Sequence, residues 1–219
     1  VVVHVNAATS VDGKLASRRR EQLAISGPDD FARVERVRAA NDAVMVGVGT
    51  VLADDPSLTV DDAGLVGERE ERGAPPQPTR VVADSNARTP PDARVLDGAA
   101  PTIVLVASDA PAERVAAIEA AGATVVSVGD ERVALPAAFG ELAERGLVDV
   151  MVEGGGELIF SLFDAGLVDE LSVYVGNTVV GGRDAPTLAD GEGFVENYPD
   201  LDLTDVERID DGVLLRYDC

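Results

Sequence analysis

The run Val150-Met151-Val152-Glu153-Gly154-Gly155-Gly156-Glu157-Leu158 carries an apolar strand into three glycines and then into a helical pattern. Glycines at a strand-to-helix turn let backbone approach a ligand closely, and the unpaired amides of a starting helix favour phosphate. The triplet is a candidate cradle for a dinucleotide. It lacks the G-x-G-x-x-G spacing and lies late in the chain, so an ordinary Rossmann domain fits poorly. A tight turn selected only for its backbone angles would read the same way.

A second cluster, Gly47 to Val60, follows another buried strand. There Thr50 and Asp54 stand one helical turn apart, on one face of a short helix. Both can touch one ligand; alternatively Thr50 caps that helix and Asp54-Asp55-Pro56 ends it. The third cluster, Val82-Ala83-Asp84-Ser85-Asn86-Ala87-Arg88, is again at a strand end. Three strand ends rich in small and hydroxyl residues predict a crevice at the carboxyl edge of a sheet, where open α/β sheets hold ligands. His4, the only histidine, lies inside a strand and reads as a core or edge residue. No Ser-His-Asp set can be assembled without forcing it, and no His/Cys/carboxylate spacing suggests zinc or another metal.

The elements that must position these residues alternate. Val1–Ala8 is dense in β-branched residues and ends in the turn Ser10-Val11-Asp12-Gly13. The stretch Asp29–Ala40 places Phe31, Val34 and Val37 at helical spacing, with Ser26 or Asp29 available as a cap. Ala43–Val48 is a continuous apolar run of the kind buried in a parallel sheet. Asp61–Gln77 has no apolar period and is expected to be an exposed insertion loop. Beyond Arg80–Ala83, strands alternate with helices as far as Glu170–Val175, which argues for an α/β fold with a mostly parallel central sheet flanked by helices. Asp211-Gly212, between Leu201–Asp210 and Val213–Tyr217, suits a two-residue hairpin turn and an antiparallel C-terminal edge.

Composition narrows the function. With 219 residues and no linker-like tract, one domain is the expectation. The formal charge of −22 excludes DNA and RNA as partners, because their binding depends on Lys and Arg displacing counterions. Lys14 is the only lysine, a usage that fits a halophile. Cys219 stands alone, which rules out an intramolecular disulfide and is simplest for a cytoplasmic protein. No apolar run is long enough to mark a membrane span.

Taken in order, several segments resemble the riboflavin-biosynthesis reductase family, particularly its stand-alone archaeal and fungal members. They are Asn6–Lys14, Arg38-Ala39-Ala40, Gly49–Val60, Asp84-Ser85, Val152–Gly156 and Leu167–Leu171, and the match covers nearly the whole chain. The resemblance implies a single dihydrofolate-reductase-like domain over residues 1–219 that forms a homodimer. It implies NADPH-dependent reduction, with NADH not excluded, of a small ribosylaminopyrimidine phosphate whose opened imine accepts hydride at C1′. It also implies cofactor contacts from Thr9, Thr50, Asp54, Ser85, Gly154, Gly155, Gly156 and Glu157, and substrate contacts from Arg38, Leu58 and Glu153. Glu153 and Asp12 are the acidic candidates for proton donor, with water as the other option.

Two departures stand out. Bacterial bifunctional relatives carry a lysine where this chain has Asn6 and an arginine where it has Asp61. The second loss leaves a phosphate partner to be found; Arg18, Arg19 and Arg20 can supply it, or they form a solvated basic loop. The alternatives are a reductase of the deaminated pyrimidine and a catalytically silent NADPH sensor. Apolar strands such as Leu171–Val175 could supply the dimer interface.

Overall fold

The computed structural model describes residues 1–21 and 23–219. In chain order the elements are β1 (Val2–Thr9), α1 (Pro28–Ala40), β2 (Ala43–Gly47), α2 (Val48–Asp54), α3 (Ala63–Glu71), β3 (Thr79–Ala83), β4 (Thr102–Val106), α4 (Ala112–Ala120), β5 (Thr124–Ser127), α5 (Leu135–Glu144), β6 (Asp149–Glu153), α6 (Gly156–Asp164), β7 (Glu170–Val175), β8 (Asp202–Ile209) and β9 (Gly212–Asp218). Strand pairing is mostly parallel, and the antiparallel pairs fall among β7, β9 and β8, as the sequence pattern predicts. The chain forms two compact units, one of Val1 and Glu35–Met151, the other of Val2–Val34 and Val152–Cys219. They interleave in sequence, so no linker composition marks a boundary.

In the first unit β2, β3, β4 and β5 pair in parallel in that order. Val44, Val46, Val82 and Val104 are fully buried and pack with Val48 and Val51 of α2, Leu58 and Ile118 of α4. Strands covered on both faces need apolar residues at every position, which is why Ala43–Val46 shows no alternation. The strand stops at Gly47, one residue short of the expected boundary, because Val48 already belongs to α2.

The segment expected as a loop over 61–77 carries α3. Asp62 caps it, accepting from the amides of Gly64 and Leu65. Its anchor is polar: Arg69, 1% exposed, donates to the carbonyls of Pro75, Ala39 and Asn41. A helix held by a guanidinium on backbone carbonyls leaves no apolar stripe to read. Arg80 at the start of β3 is buried in the same manner, bonded to Thr102 Oγ1, the Arg94 and Ala100 carbonyls and the Asp97 carboxylate.

In the second unit β1 pairs in parallel with β7, and β9 joins β7 to the edge strand β8. Val3, Val5, Ala7 and Thr9 are buried on one face of β1. On the other face His4 Nε2 meets Ser172 Oγ at 2.8 Å, and Asn6 accepts from Arg33, which is itself ion-paired with Asp30 at 2.7 Å. Burial first, then the charges of Arg33 and Arg216, lower the His4 pKa to about 4, so it is a neutral core histidine at pH 7.

Two expectations for this unit change. The first turn of α1 buries Asp30 and Arg33, not Phe31, which is 58% exposed. Neither Ser26 nor Asp29 caps the helix; the carboxylate of Asp210, 181 residues from Asp29, accepts the amides of Asp29 and Asp30. The hairpin turn is Asp210-Asp211 rather than Asp211-Gly212, since Ile209 pairs with Gly212, and Asp210 takes a left-handed φ of 49°. Gly27 makes room for this cap, because a β-carbon there would collide with the Asp210 side chain.

Asp210→Ala removes both acceptors and is expected to lower stability by about 1 kcal/mol, as other helix-cap losses do. Urea melts of the two proteins check this, and an unchanged midpoint would discard the long-range cap.

Candidate functional site

In the second unit β6 ends at Glu153, half-buried, and the chain turns through Gly154 (φ 82°) and Gly155 (φ 90°) into α6. Both are left-handed conformations that a side chain resists. Gly156 is needed for a different reason: a β-carbon there would overlap the carbonyl oxygen of Thr187. That contact is closed by the Asp190 amide, which donates to the Gly156 carbonyl, and by the Thr187 amide and hydroxyl on Asp190 Oδ1. Gly155 at the N-cap offers no side chain to the first-turn amides of α6, so these face a position suited to an anionic oxygen. Glu157 lies exposed in that first turn.

The loop after β1 is laced to the loop after β7. Gly176 donates to the Thr9 carbonyl, Val11 to the Thr178 carbonyl and Leu15 to the Pro186 carbonyl. Lys14 Nζ reaches the Ala185 carbonyl at 3.3 Å. Thr9 is only 3% exposed, and its carbonyl is taken by the Gly176 amide.

Asp12 accepts from the amides of Val180 (2.9 Å) and Gly181 (2.7 Å) and from the Ser10 hydroxyl (2.7 Å). The Val180 amide first, then the Ser10 hydroxyl, hold its pKa down at about 2. A carboxylate held by these three donors is the clasp between the two loops. Arg18, Arg19 and Arg20 form an exposed turn, with Ser17 Oγ accepting the amides of Arg19 and Glu21.

In the first unit α2 follows β2 without a loop, so Thr50 and Asp54 share one short helix. Gly47 is its N-cap, with no side-chain bond, and Asp55 ends it at φ 42°. Thr50 is therefore not the cap, and its hydroxyl remains for another role. Partial burial raises the Asp54 pKa above the ordinary carboxylate value. Leu58 is 2% exposed, has a left-handed φ of 54° and sits in the core cluster, so its side chain serves packing. Arg38, in the last turn of α1, donates to the Thr59 carbonyl at 3.0 Å.

At the end of β3, Ser85 Oγ accepts the Val133 amide at 3.0 Å, which leaves the hydroxyl proton to donate. Beside it Asp84 is fully buried. Its Oδ2 takes the amide and hydroxyl of Thr89, while Oδ1 has no hydrogen-bond partner among the described residues. Arg88, 51% exposed at its side chain, lies 4.0 Å from that oxygen. The buried carboxylate thus has a half-exposed guanidinium at ion-pair distance. Sequence reasoning quoted Arg88 without giving it a role, and it overlooked Thr187 and Asp190, whose Thr-x-x-Asp spacing was the available signal.

The sign for Asp12 is that of a depressed carboxylate: its contribution is present above the unfolded pKa and is lost as pH falls through the folded one. Melting temperature measured between about pH 4 and pH 2 should therefore drop in the wild type by more than in Asp12→Asn. Parallel curves would deny the clasp.

A family model described as the RibD C-terminal domain matches residues 1–215. The chain is 47% identical over 210 residues to the 2,5-diamino-6-ribosylamino-4(3H)-pyrimidinone 5′-phosphate reductase of Archaeoglobus fulgidus, covering 96% of this chain and 94% of that one. The protein of the same name from Methanothermobacter thermautotrophicus is 46% identical over 194 residues, covering 89% of this chain and 86% of the relative. The riboflavin biosynthesis protein RibD of Bacillus amyloliquefaciens is 34% identical across 97% of this chain, which spans 56% of that longer protein. Among solved structures, a pyrimidine reductase-like protein from Corynebacterium diphtheriae superposes with a TM-score of 0.84 at 18% identity, covering 99% of this chain and 91% of that one, a likeness of fold. By the span of the family match and the depth of the archaeal identity, this chain belongs to the RibD C-terminal domain family.

Proposed function

We propose that the chain reduces 2,5-diamino-6-(ribosylamino)-4(3H)-pyrimidinone 5′-phosphate to its ribitylamino product with NADPH. The observation that carries this reading is the 47% identity to the Archaeoglobus reductase, which runs nearly end to end in both chains. The residues present fit the cofactor. The uncapped start of α6 behind Gly154 and Gly155 suits a pyrophosphate, and the Ser85 hydroxyl and the half-exposed Arg88 guanidinium are groups suited to a 2′-phosphate. Thr9, Thr50, Asp54, Gly156 and Glu157 complete the proposed cofactor contacts.

Bound NADPH supplies the hydride that reaches C1′ of the opened imine, and the imine nitrogen takes a proton. The protein's work is mainly to orient and to shield. Arg38 and Glu153 are the proposed substrate contacts, with Leu58 contributing backbone. With Asp12 held ionised, Glu153 or water delivers the proton. Arg18, Arg19 and Arg20 stand as the source of the remaining phosphate contact.

A homodimer is part of this proposal. Leu171, Val173 and Tyr174 are already buried in the single chain, which leaves β7 little apolar surface to offer a partner. The edge strand β8 leaves Leu203 and Val206 more than half exposed, and a second copy would cover them. No helix among the described residues is long and apolar enough to cross a membrane. The net charge of −22 supports a cytoplasmic, salt-adapted protein.

The deciding assay follows loss of nicotinamide absorbance with the diamino compound and with its deaminated counterpart. Faster turnover of the diamino compound is expected. Preference for the deaminated one would move the chain to the bacterial type of reaction, and binding without oxidation would make it a sensor.

Arg88→Ala should raise KM for NADPH about tenfold or more, the scale of one charged phosphate contact, and leave KM for NADH unchanged. Equal effects on both coenzymes would place the 2′-phosphate elsewhere. Glu153→Gln is expected to cut kcat with the NADPH Kd preserved, and wild-type turnover would take Glu153 out of the chemistry.

A further inference from the structure

Asp55–Asp61 follows α2 without regular secondary structure, yet side chains and amides from elsewhere in the first unit hold it nearly residue by residue. The Asp55 carboxylate accepts the Arg94 amide at 2.8 Å, and the Ser57 carbonyl accepts from Arg80 at 3.4 Å. Leu58 inserts its side chain into the core from a left-handed backbone. The Asp61 amide donates to Glu35 Oε1 at 3.0 Å. Gln77 makes the tightest hold: its Oε1 accepts the Val60 amide at 2.8 Å and its Nε2 donates to the Val60 carbonyl at 2.9 Å.

The Val60 amide and the Thr59 carbonyl are two ends of one peptide group, and that group is planar and stiff. The same Thr59 carbonyl accepts Arg38 Nη1 at 3.0 Å. Gln77 therefore sets the plane of the peptide on which Arg38 rests. Accepting the N–H of an amide also polarises its carbonyl, which strengthens the bond that the carbonyl takes from Arg38. We propose that Gln77 is a positioning residue for substrate: it fixes the Thr59–Val60 peptide and, through it, the guanidinium of Arg38. This rests on the reading of Arg38 as a substrate contact.

Gln77 lies just beyond α3, in the stretch whose composition reads as a disposable surface excursion. Its position gives that stretch a purpose. The helix is pinned by Arg69 at one place, and the chain leaving it delivers an amide side chain to Val60 just before β3 begins. Glu35 and Arg38 reach the same segment from α1, three residues apart on one helix face. The Thr59–Asp61 backbone is thus held both by α1 and by Gln77.

The test uses Gln77→Met, which keeps length and removes both hydrogen bonds, measured in the full-length enzyme with each substrate varied in turn. The expected result is a rise of about tenfold in KM for the ribosylamino compound, the scale of two neutral hydrogen bonds, with KM for NADPH unchanged. In an Arg38→Lys background the same change should add little, because the path through Arg38 is already broken. A normal substrate KM, a joint rise in both KM values, or an undiminished effect in the Arg38→Lys background would overturn the proposal. If Arg38→Lys alone leaves the substrate KM untouched, the reading of Arg38 fails first and the proposal goes with it. Should Gln77→Met not fold, Gln77→Ala measured in the same way decides.

Discussion

The carbonyl oxygen of Thr187 lies 2.4 Å from where a β-carbon of residue 156 would be, and only glycine lets the two backbones come that close. Much of the second unit is arranged around that approach. Thr187 is held there by Asp190 on one side and by its bridge to Lys14 on the other. Lys14 in turn belongs to the loop that Asp12 fastens to Val180 and Gly181. Two left-handed glycines upstream then aim an uncapped helix start outward. A helix start of this kind can meet an anion without a basic side chain, which suits a chain of net charge −22.

The first unit solves a different problem with a different device. Its sheet is aliphatic and closely packed, but the irregular segments around it are secured by buried guanidiniums that meet carbonyl oxygens. Arg69 and Arg80 each satisfy several backbone acceptors at once, and a single arginine fork can do this where a lysine could not. Such anchors are costly to bury unless every donor is met, so they fix geometry narrowly. The segment between Asp55 and Asp61 inherits that precision. Its left-handed Leu58 is tolerable because packing and hydrogen bonds over-determine the backbone on both sides.

Charged residues near the site divide into those that hold and those that remain to act. Asp12, Asp84 and Asp210 spend their carboxylates on amides, hydroxyls or a nearby guanidinium, and His4 is neutral in the core. Thr50, Asp54, Ser85, Arg88 and Glu157 stand at strand or helix ends with groups able to meet a ligand. The acids close to the backbone turns are already committed to the protein.

The sequence by itself determined the α/β pattern, the buried character of Ala43–Val46, the glycine triplet as a strand-to-helix turn and the placement of Thr50 and Asp54 on one helix. Each of these is local: periodicity, left-handed turns and a four-residue helical spacing are written in neighbouring residues. It also carried the family through the order of its motifs. Only the tertiary structure decided what depends on distant partners. That Asp210 caps α1, that Asp12 is a clasp between loops, that Arg69 makes a helix of an apparent loop, and that Gln77 grips Val60 all follow from hydrogen bonds across long stretches of chain. A polar side chain looks the same in sequence whether it is solvated or buried on a carbonyl, and folding alone supplies the partner that tells the two apart.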